Sequence, residues 1–225
     1  FNYMGPTLTE ISMSHVTFVG TPNTNMRPLC FAVLTSSANH RIDVDHLSVS
    51  GVYNGESSSA FDVTVIYNGS IDFTVSNSIF KDSLSAYGPI NIMGQYTRGV
   101  AGGLASISIT NSTLTGNVNS LSGGVHLSWY GPATLNIQNS VFTNNSGAGM
   151  ALFGIGIGAD FAFTALVSDC SFQGNTSLLS ADLHTPSTQL STVTLQNVHA
   201  TGMGQNGSSW VNVSGSDTAK FVMEN

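Results

Sequence analysis

Apolar and polar residues alternate along this chain in short bursts, and the bursts return at a near-constant interval. The phrase apolar-x-apolar-x-Asn-x-x-apolar recurs about every 30 residues. Clear copies run from Ile107 through Asn111 to Leu114 and from Leu135 through Asn139 to Phe142. Asn77 and Asn197 hold the Asn slot in further copies, and His15, His46 and Asp169 replace Asn in weaker ones. The final residue, Asn225, opens one more copy. A period of two predicts strands and excludes a helix-pair solenoid. Repetition at this interval predicts a stack of coils.

Aligned on the slot, the copies form columns. Two residues before it stand Met13, Val44, Val75, Ile109, Ile137, Val167, Leu195 and Met223. Four before it stand Ile11, Ile42, Phe73, Ile107, Leu135, Ala165, Val193 and Phe221. Three after it stand Phe18, Val49, Phe80, Leu114, Phe142, Phe172 and Ala200. Alternate residues of a strand share one face, so each column points into one continuous core. The Ser, Thr, Gln and Asp between them suit a wet outer face.

The slot interrupts the alternation between two short strands. Asn tolerates a left-handed bend that most residues resist, and stacked amides can bond to the coils above and below. The expected ladder is His15, His46, Asn77, Asn111, Asn139, Asp169 and Asn197. A further strand group includes Phe31–Val33, Ile90–Ile92, Val125–Leu127 and Val211–Val213. The expected fold is all-β: a right-handed parallel β-helix of about seven to eight rungs, three short strands per rung, forming one domain over 1–225. At about 4.8 Å per rung the rod is on the order of 35 Å long.

Composition narrows the function. Lys and Arg total 5 against 12 Asp and Glu, a formal net charge of −7. That excludes the basic footprint nucleic acid requires. The wealth of Ser and Thr fits an extracellular or cell-surface protein. Cys30 and Cys170 fall in different columns about four rungs apart. At roughly 19 Å they are too distant for a disulfide. Cys170 takes the place of Ser78, Ser112 and Ser140, which follow the slot in other copies.

The apolar run from Gly149 to Val167 has the length of a membrane span. It contains Asp160 and several glycines, and the repeat assigns Met150–Leu152 and Ala165–Val167 to two strands, so no span is expected. The segment between, 154–163, is an enlarged loop carrying Ile155, Ile157 and Phe161. Another enlarged loop, 95–104, carries Tyr96 and Leu104 at the same corner of the coil. Apolar loops leaving a rod mark a contact surface.

Catalytic chemistry has no clear seat. A glycoside hydrolase requires two carboxylates at a set separation, and the acids scatter over the register. His126 lies two rungs from Asp182 and His184, too far for direct acid–base coupling. Asp43 and Asp45 share a rung face, but two carboxylates are too few for a calcium cage. No catalytic, cofactor or metal site is expected. His15 and His46, in the slot of successive coils, are expected to stack as substitutes for the ladder asparagines. Six Asn-x-Ser/Thr sequons occur, at Asn68, Asn111, Asn144, Asn175, Asn206 and Asn212. Asn144, Asn175 and Asn206 follow the Phe or Ala column and are expected in exposed loops. Asn212 is expected to face outward, Asn68 is a further candidate, and the ladder residue Asn111 is expected to be closed to glycan.

Two short motifs accompany the repeat. Phe142-Thr-Asn-Asn145 and Phe172-Gln-Gly-Asn175 read F-x-x-N, Leu114-Thr-Gly-Asn117 comes close, and Gly123-Gly124-Val125 reads G-G-[A/I/L/V]. These motifs, within residues 107–183, resemble the repeats of chlamydial polymorphic outer-membrane proteins and related β-helix surface proteins of protists and algae. The early coils depart from the pattern. The resemblance implies a secreted or surface-displayed passenger with an adhesive or structural role.

The expected function is therefore a non-enzymatic extracellular structural or adhesive module, part of a glycosylated surface fibre, with a polysaccharide lyase or glycoside hydrolase of the pectin-lyase-like fold as the alternative. Carbohydrate or another surface protein is the expected partner. Because Phe221 and Met223 belong to inward columns, the last strand is expected to contact a further rung of a longer chain or the first residues of a neighbouring copy.

Overall fold

A computed structural model describes residues 2–5, 10–20, 30–34, 38–53, 59, 61–65, 69–85, 87–94, 103–118, 122–146, 148–155, 163–184, 190–203, 211–215 and 219–224. Its regular structure is β-strand throughout these residues. The strands form three sheets of eight, eight and seven members. In each coil the chain passes through a strand of the first sheet, then the second, bends at the slot, and enters the third. Thus Ile90–Gly94, Ala105–Thr110 and Thr113–Thr115 belong to one coil, and Ser122–Trp129, Ala133–Gln138 and Val141–Thr143 to the next. Every strand pairs in parallel with its counterpart one coil away, as Ile107 with Leu135 and Leu114 with Phe142. This is a parallel β-helix.

The slot turns the chain because its residues take left-handed backbone angles. His15, His46, Asn77, Asn111, Asn139, Asp169 and Asn197 have φ between 50° and 56°. The bend keeps each slot N–H in the ladder: Asn111 N donates to Gln138 O at 3.1 Å and Asn139 N to Ser168 O at 3.1 Å. A second left-handed position follows five residues later, at Gly51, Asp82, Gly116, Asn144, Gly174 and Gly202. Two such bends flank the third-sheet strand, which is why it holds only three residues.

The columns are the core. Ile42, Phe73, Ile107, Leu135, Ala165 and Val193 are buried, as are Val44 through Leu195 two positions on and Val49 through Phe172 on the third sheet. Met13, Phe18, Ala200 and Phe221 are half-buried, and Met223 is 72% exposed. Within one coil Phe61, Phe73 and Phe80, one from each sheet, meet edge to face with centroids 6.1 Å from Phe61. Phe142 and Phe172 stack between coils at 4.6 Å. Trp129 is buried in an inward column with Gly154 in register beside it. A Cβ on Gly94 would lie 2.8 Å from the indole, so the glycine makes room for the ring.

Three boundaries differ from expectation; Phe163, assigned from sequence to the loop 154–163, opens the strand Phe163–Ser168 and pairs with Ala133. The strand expected from Phe31 begins at Cys30, and Cys30, not Phe31, shares the register of Phe61 and Ile90. One residue of slip exchanges the faces of a strand, and a short segment between loops does not fix its own register. The first-sheet strand Ala148–Ile155 also includes Gly154 and Ile155, assigned from sequence to the loop. Pairing of Gly154 with Trp129 extends it.

Candidate functional site

The slot side chains lie outside the helix. Asn77, Asn111, Asn139, Asp169 and Asn197 are exposed. Contacts between coils run from Asn77 Nδ2 to Asp45 Oδ1 (2.9 Å), Asn111 Nδ2 to Asn77 Oδ1 (3.4 Å) and Asn197 Nδ2 to Asp169 Oδ1 (3.1 Å). Asn111, expected to be closed off, therefore shows its side chain to solvent.

The tightly bonded polar ladders are internal. One is the serine column after the slot. Each hydroxyl accepts the N–H of the preceding coil and donates to the carbonyl two residues back. Ser78 N donates to Ser112 Oγ and Ser112 N to Ser140 Oγ, both at 3.2 Å. Ser112 Oγ donates to Thr110 O at 2.8 Å. Cys170 continues the column as expected from sequence, its thiol donating to Ser168 O at 3.1 Å, and burial pushes that thiol up to about 11.

The second internal ladder is the Asn of F-x-x-N. Asn117, Asn145 and Asn175 are buried. Asn145 Oδ1 accepts both N–H and Nδ2 of Asn117 at 3.0 Å, and Asn175 Oδ1 accepts both from Asn145 at 3.0 and 2.9 Å. Each amide also donates to the carbonyl of the third-sheet column, Asn175 Nδ2 to Phe142 O at 2.8 Å. This corrects the expectation for Asn175. It is 0% exposed with its amide nitrogen occupied, so the folded chain closes it to glycan. The motif carried the signal: an Asn that recurs after a buried Phe serves the turn. Asn144, which precedes the buried Asn145, is exposed.

Chemistry that sequence reasoning missed sits on the outer face of the first sheet. Asp62, Asn91 and His126 occupy one register column in successive coils. All three are buried although the alternation turns them away from the core. Asn91 Nδ2 donates to Asp62 Oδ1 at 2.9 Å. Asn91 Oδ1 therefore faces His126 Nδ1, 2.6 Å away, and that nitrogen carries the proton. The Tyr87 ring lies 5.0 Å from the imidazole. Burial raises the Asp62 carboxyl above its ordinary range, against the Asn91 hydrogen bond, and lowers His126 to about 4. His126 is thus neutral at physiological pH, in one tautomer, tied across two coils to a carboxyl. Its partner is the Asp62–Asn91 pair rather than the distant acids weighed from sequence.

At the other face the slot histidines stack. The His15 and His46 rings are parallel within 4° at 4.7 Å. Ser14 Oγ meets His15 Nδ1 at 2.6 Å, and Asp45 Oδ2 meets His46 Nδ1 at 2.7 Å. Hydrogen bonds from Ser76 above all, then from Asn77 and His46, hold the Asp45 carboxyl well below the usual carboxylate range. Arg41 pairs with Asp43 at 2.7 Å. Beside this pair a groove of about 360 Å³ opens between Asn39, Arg41, Ser70, Asp72, Ser106 and Leu104.

Of the residues expected in interaction loops, Leu104 is 48% exposed on the rim of this groove. Tyr96, Ile157 and Phe161 lie outside the described residues, and Ile155 is placed by its backbone alone. Asn68 and Asn206 also lie outside them, while Asn212 falls within the strand Val211–Gly215. Among the described residues no group of three or more His, Cys, Asp or Glu is placed to hold a metal ion. No helix among them is long and apolar enough to cross a membrane. Neither a protein-family model nor a curated protein matches this chain.

Proposed function

We propose that the chain is a non-enzymatic structural or adhesive module of a cell surface or extracellular matrix, with carbohydrate or another surface protein as its partner. The observation that carries this reading is the pairing of all three sheets coil upon coil, with polar side chains outward. Parallel pairing in three directions makes a stiff body, and stiffness suits display. In a eukaryotic secretory pathway Asn144 is an exposed sequon in position to carry glycan. The test is attachment. Beads coated with the protein are exposed to cells or isolated matrix from the source organism. Saturable retention that soluble protein competes away is the expected result. Depolymerisation of any offered polysaccharide, with no retention, overturns the reading.

One observation favours the alternative, a polysaccharide lyase or hydrolase. A fixed His tautomer backed by a carboxyl is an arrangement that acid–base catalysis uses. His126 is only 4% exposed, which disfavours direct access to a polymer. Should cleavage be found, its loss in His126→Gln with an unchanged fold would assign the activity to this chain of hydrogen bonds.

A further inference from the structure

We infer that the outer face of the second sheet binds an uncharged polysaccharide strand, lying across the coils with one end in the groove beside Arg41 and Asp72. The inference rests on the adhesive reading and gives it a surface and a ligand class.

The register fixes which residues share this face. One outward row runs Glu10, Arg41, Asp72, Ser106, Thr134, Thr164, Thr192 and Lys220. The next runs Ser12, Asp43, Thr74, Ser108, Asn136, Leu166, Thr194 and Val222. The third runs Ser14, Asp45, Ser76, Thr110, Gln138, Ser168, Gln196 and Glu224. Charges lie toward the ends: Glu10, Arg41, Asp72, Asp43 and Asp45 at one, Lys220 and Glu224 at the other. Across the four strands Ala105–Thr110, Ala133–Gln138, Phe163–Ser168 and Ser191–Gln196, every outward residue is Ser, Thr, Asn or Gln, except Leu166.

That span is a grid of hydroxyls and amides about 4.8 Å apart between coils and about 6.7 Å apart along a strand. Such a surface exchanges hydrogen bonds with sugar hydroxyls without stripping water from an ion. Between its ends the grid offers no cation to a uronate or sulfate polymer, and at its near end Glu10, Asp43, Asp45 and Asp72 outnumber Arg41 and repel one. Leu166, half-buried in the middle of the grid, suits the C–H face of a sugar ring. Two polar atoms of residues in these rows, Asn136 Oδ1 and Ser168 Oγ, are both buried and make no hydrogen bond within the described structure, so each gains a partner only when its side chain turns toward a ligand. The groove lies at the near end of the first row, with Leu104 on its rim and Asn39, Ser70 and Ser106 offering polar contacts.

The test is co-sedimentation with insoluble neutral polysaccharides (cellulose, chitin and a β-1,3-glucan), with a polygalacturonate gel as the acidic comparison. Thr134→Glu and Thr164→Glu place a charge at exposed points of the grid. Gln173→Glu places the same charge at an exposed point of the third sheet. Unchanged melting midpoints confirm that each variant is folded. The expected result is retention on at least one neutral polymer, weakened about tenfold or more by either grid variant and unaltered by Gln173→Glu. Retention on none of them, preference for the acidic gel, or grid variants that bind as the parent does overturns the inference. The same proteins are run in the bead-attachment assay. Attachment that survives Thr164→Glu leaves the adhesive reading standing while this surface assignment falls.

Discussion

The internal asparagine ladder makes a sharp prediction at Asn145. Asn145→Leu keeps the branching of the side chain, with bulkier methyl ends, and deletes both polar atoms at a site 1% exposed. The Asn117 N–H, 3.0 Å from Asn145 Oδ1, loses that acceptor. Asn117 Nδ2 keeps Phe80 O at 3.2 Å, and Asn175 Oδ1 keeps the Asn145 N–H at 3.0 Å. Leu114 O loses a donor that lay at 2.9 Å. A buried donor left without a partner costs about 1–3 kcal/mol, and the lost donor to Leu114 O adds roughly 1 kcal/mol. The expected destabilisation is about 3 kcal/mol, a large share of the ~5–15 kcal/mol that folded domains possess. Asn111→Gly is the comparison. Asn111 is exposed, its φ of 50° is open to glycine, and its side-chain contact is 3.4 Å long. It should change stability by no more than about 0.5 kcal/mol. Urea unfolding followed by circular dichroism measures both, with equal slopes securing the comparison. A loss below about 1 kcal/mol for Asn145→Leu, or one no larger than that of Asn111→Gly, would refute the assignment of the inner column as the ladder that matters.

Four further outcomes are expected. His126 is lowered from 6.5 to about 4, so the unfolded chain takes up its proton first and stability falls as pH drops through that window. The loss approaches about 3 kcal/mol. Asp62 acts oppositely: its raised carboxyl contributes stability that is full below 3.8 and fades as pH rises through the folded value. Urea unfolding of the parent and His126→Gln across pH 4–6.5 should isolate the histidine, and parallel profiles would remove it as the cause. Gly94→Ala should destabilise by about 1–3 kcal/mol because its Cβ meets a buried indole at 2.8 Å; an unchanged urea midpoint would mean that Trp129 is packed elsewhere. Cys170→Ser should lie within about 1 kcal/mol of the parent, since serine occupies that column in three other coils. In the parent, peptide mapping after thiol alkylation at pH 8 should find Cys170 unmodified until urea unfolds the chain, because its thiol is pushed up to about 11 and buried; prompt modification would contradict its burial.

Much of the fold could be read from residues alone because each instruction is local. A two-residue alternation chooses strand, and the column it defines faces inward whatever surrounds it, as Ile107, Ile109 and Leu114 do. The slot bend is a backbone preference of one residue, so His15, His46 and Asp169 could be placed beside the asparagines before any contact was known. A thirty-residue interval then forces parallel stacking, since every coil offers its neighbour the same edge. What the pattern could not supply is which polar residues lose their water. Asn111 and Asn145 are both repeating asparagines beside a strand, yet one is exposed and the other buried. The difference lies in which side of the bend each amide leaves, and the second left-handed turn decides it. Asp62, Asn91 and His126 stand 29 and 35 residues apart, with loops of unequal length between them. Their alignment depends on the first-sheet register, where one residue of slip separates neighbours from strangers, and their burial on what covers an outward face. The sequence by itself determined the coil, its columns and its bends, because these are short-range preferences repeated. Only the tertiary structure decided the inner asparagine ladder and the buried aspartate–histidine link, because hydrogen bonding and desolvation there are set by residues a whole coil away.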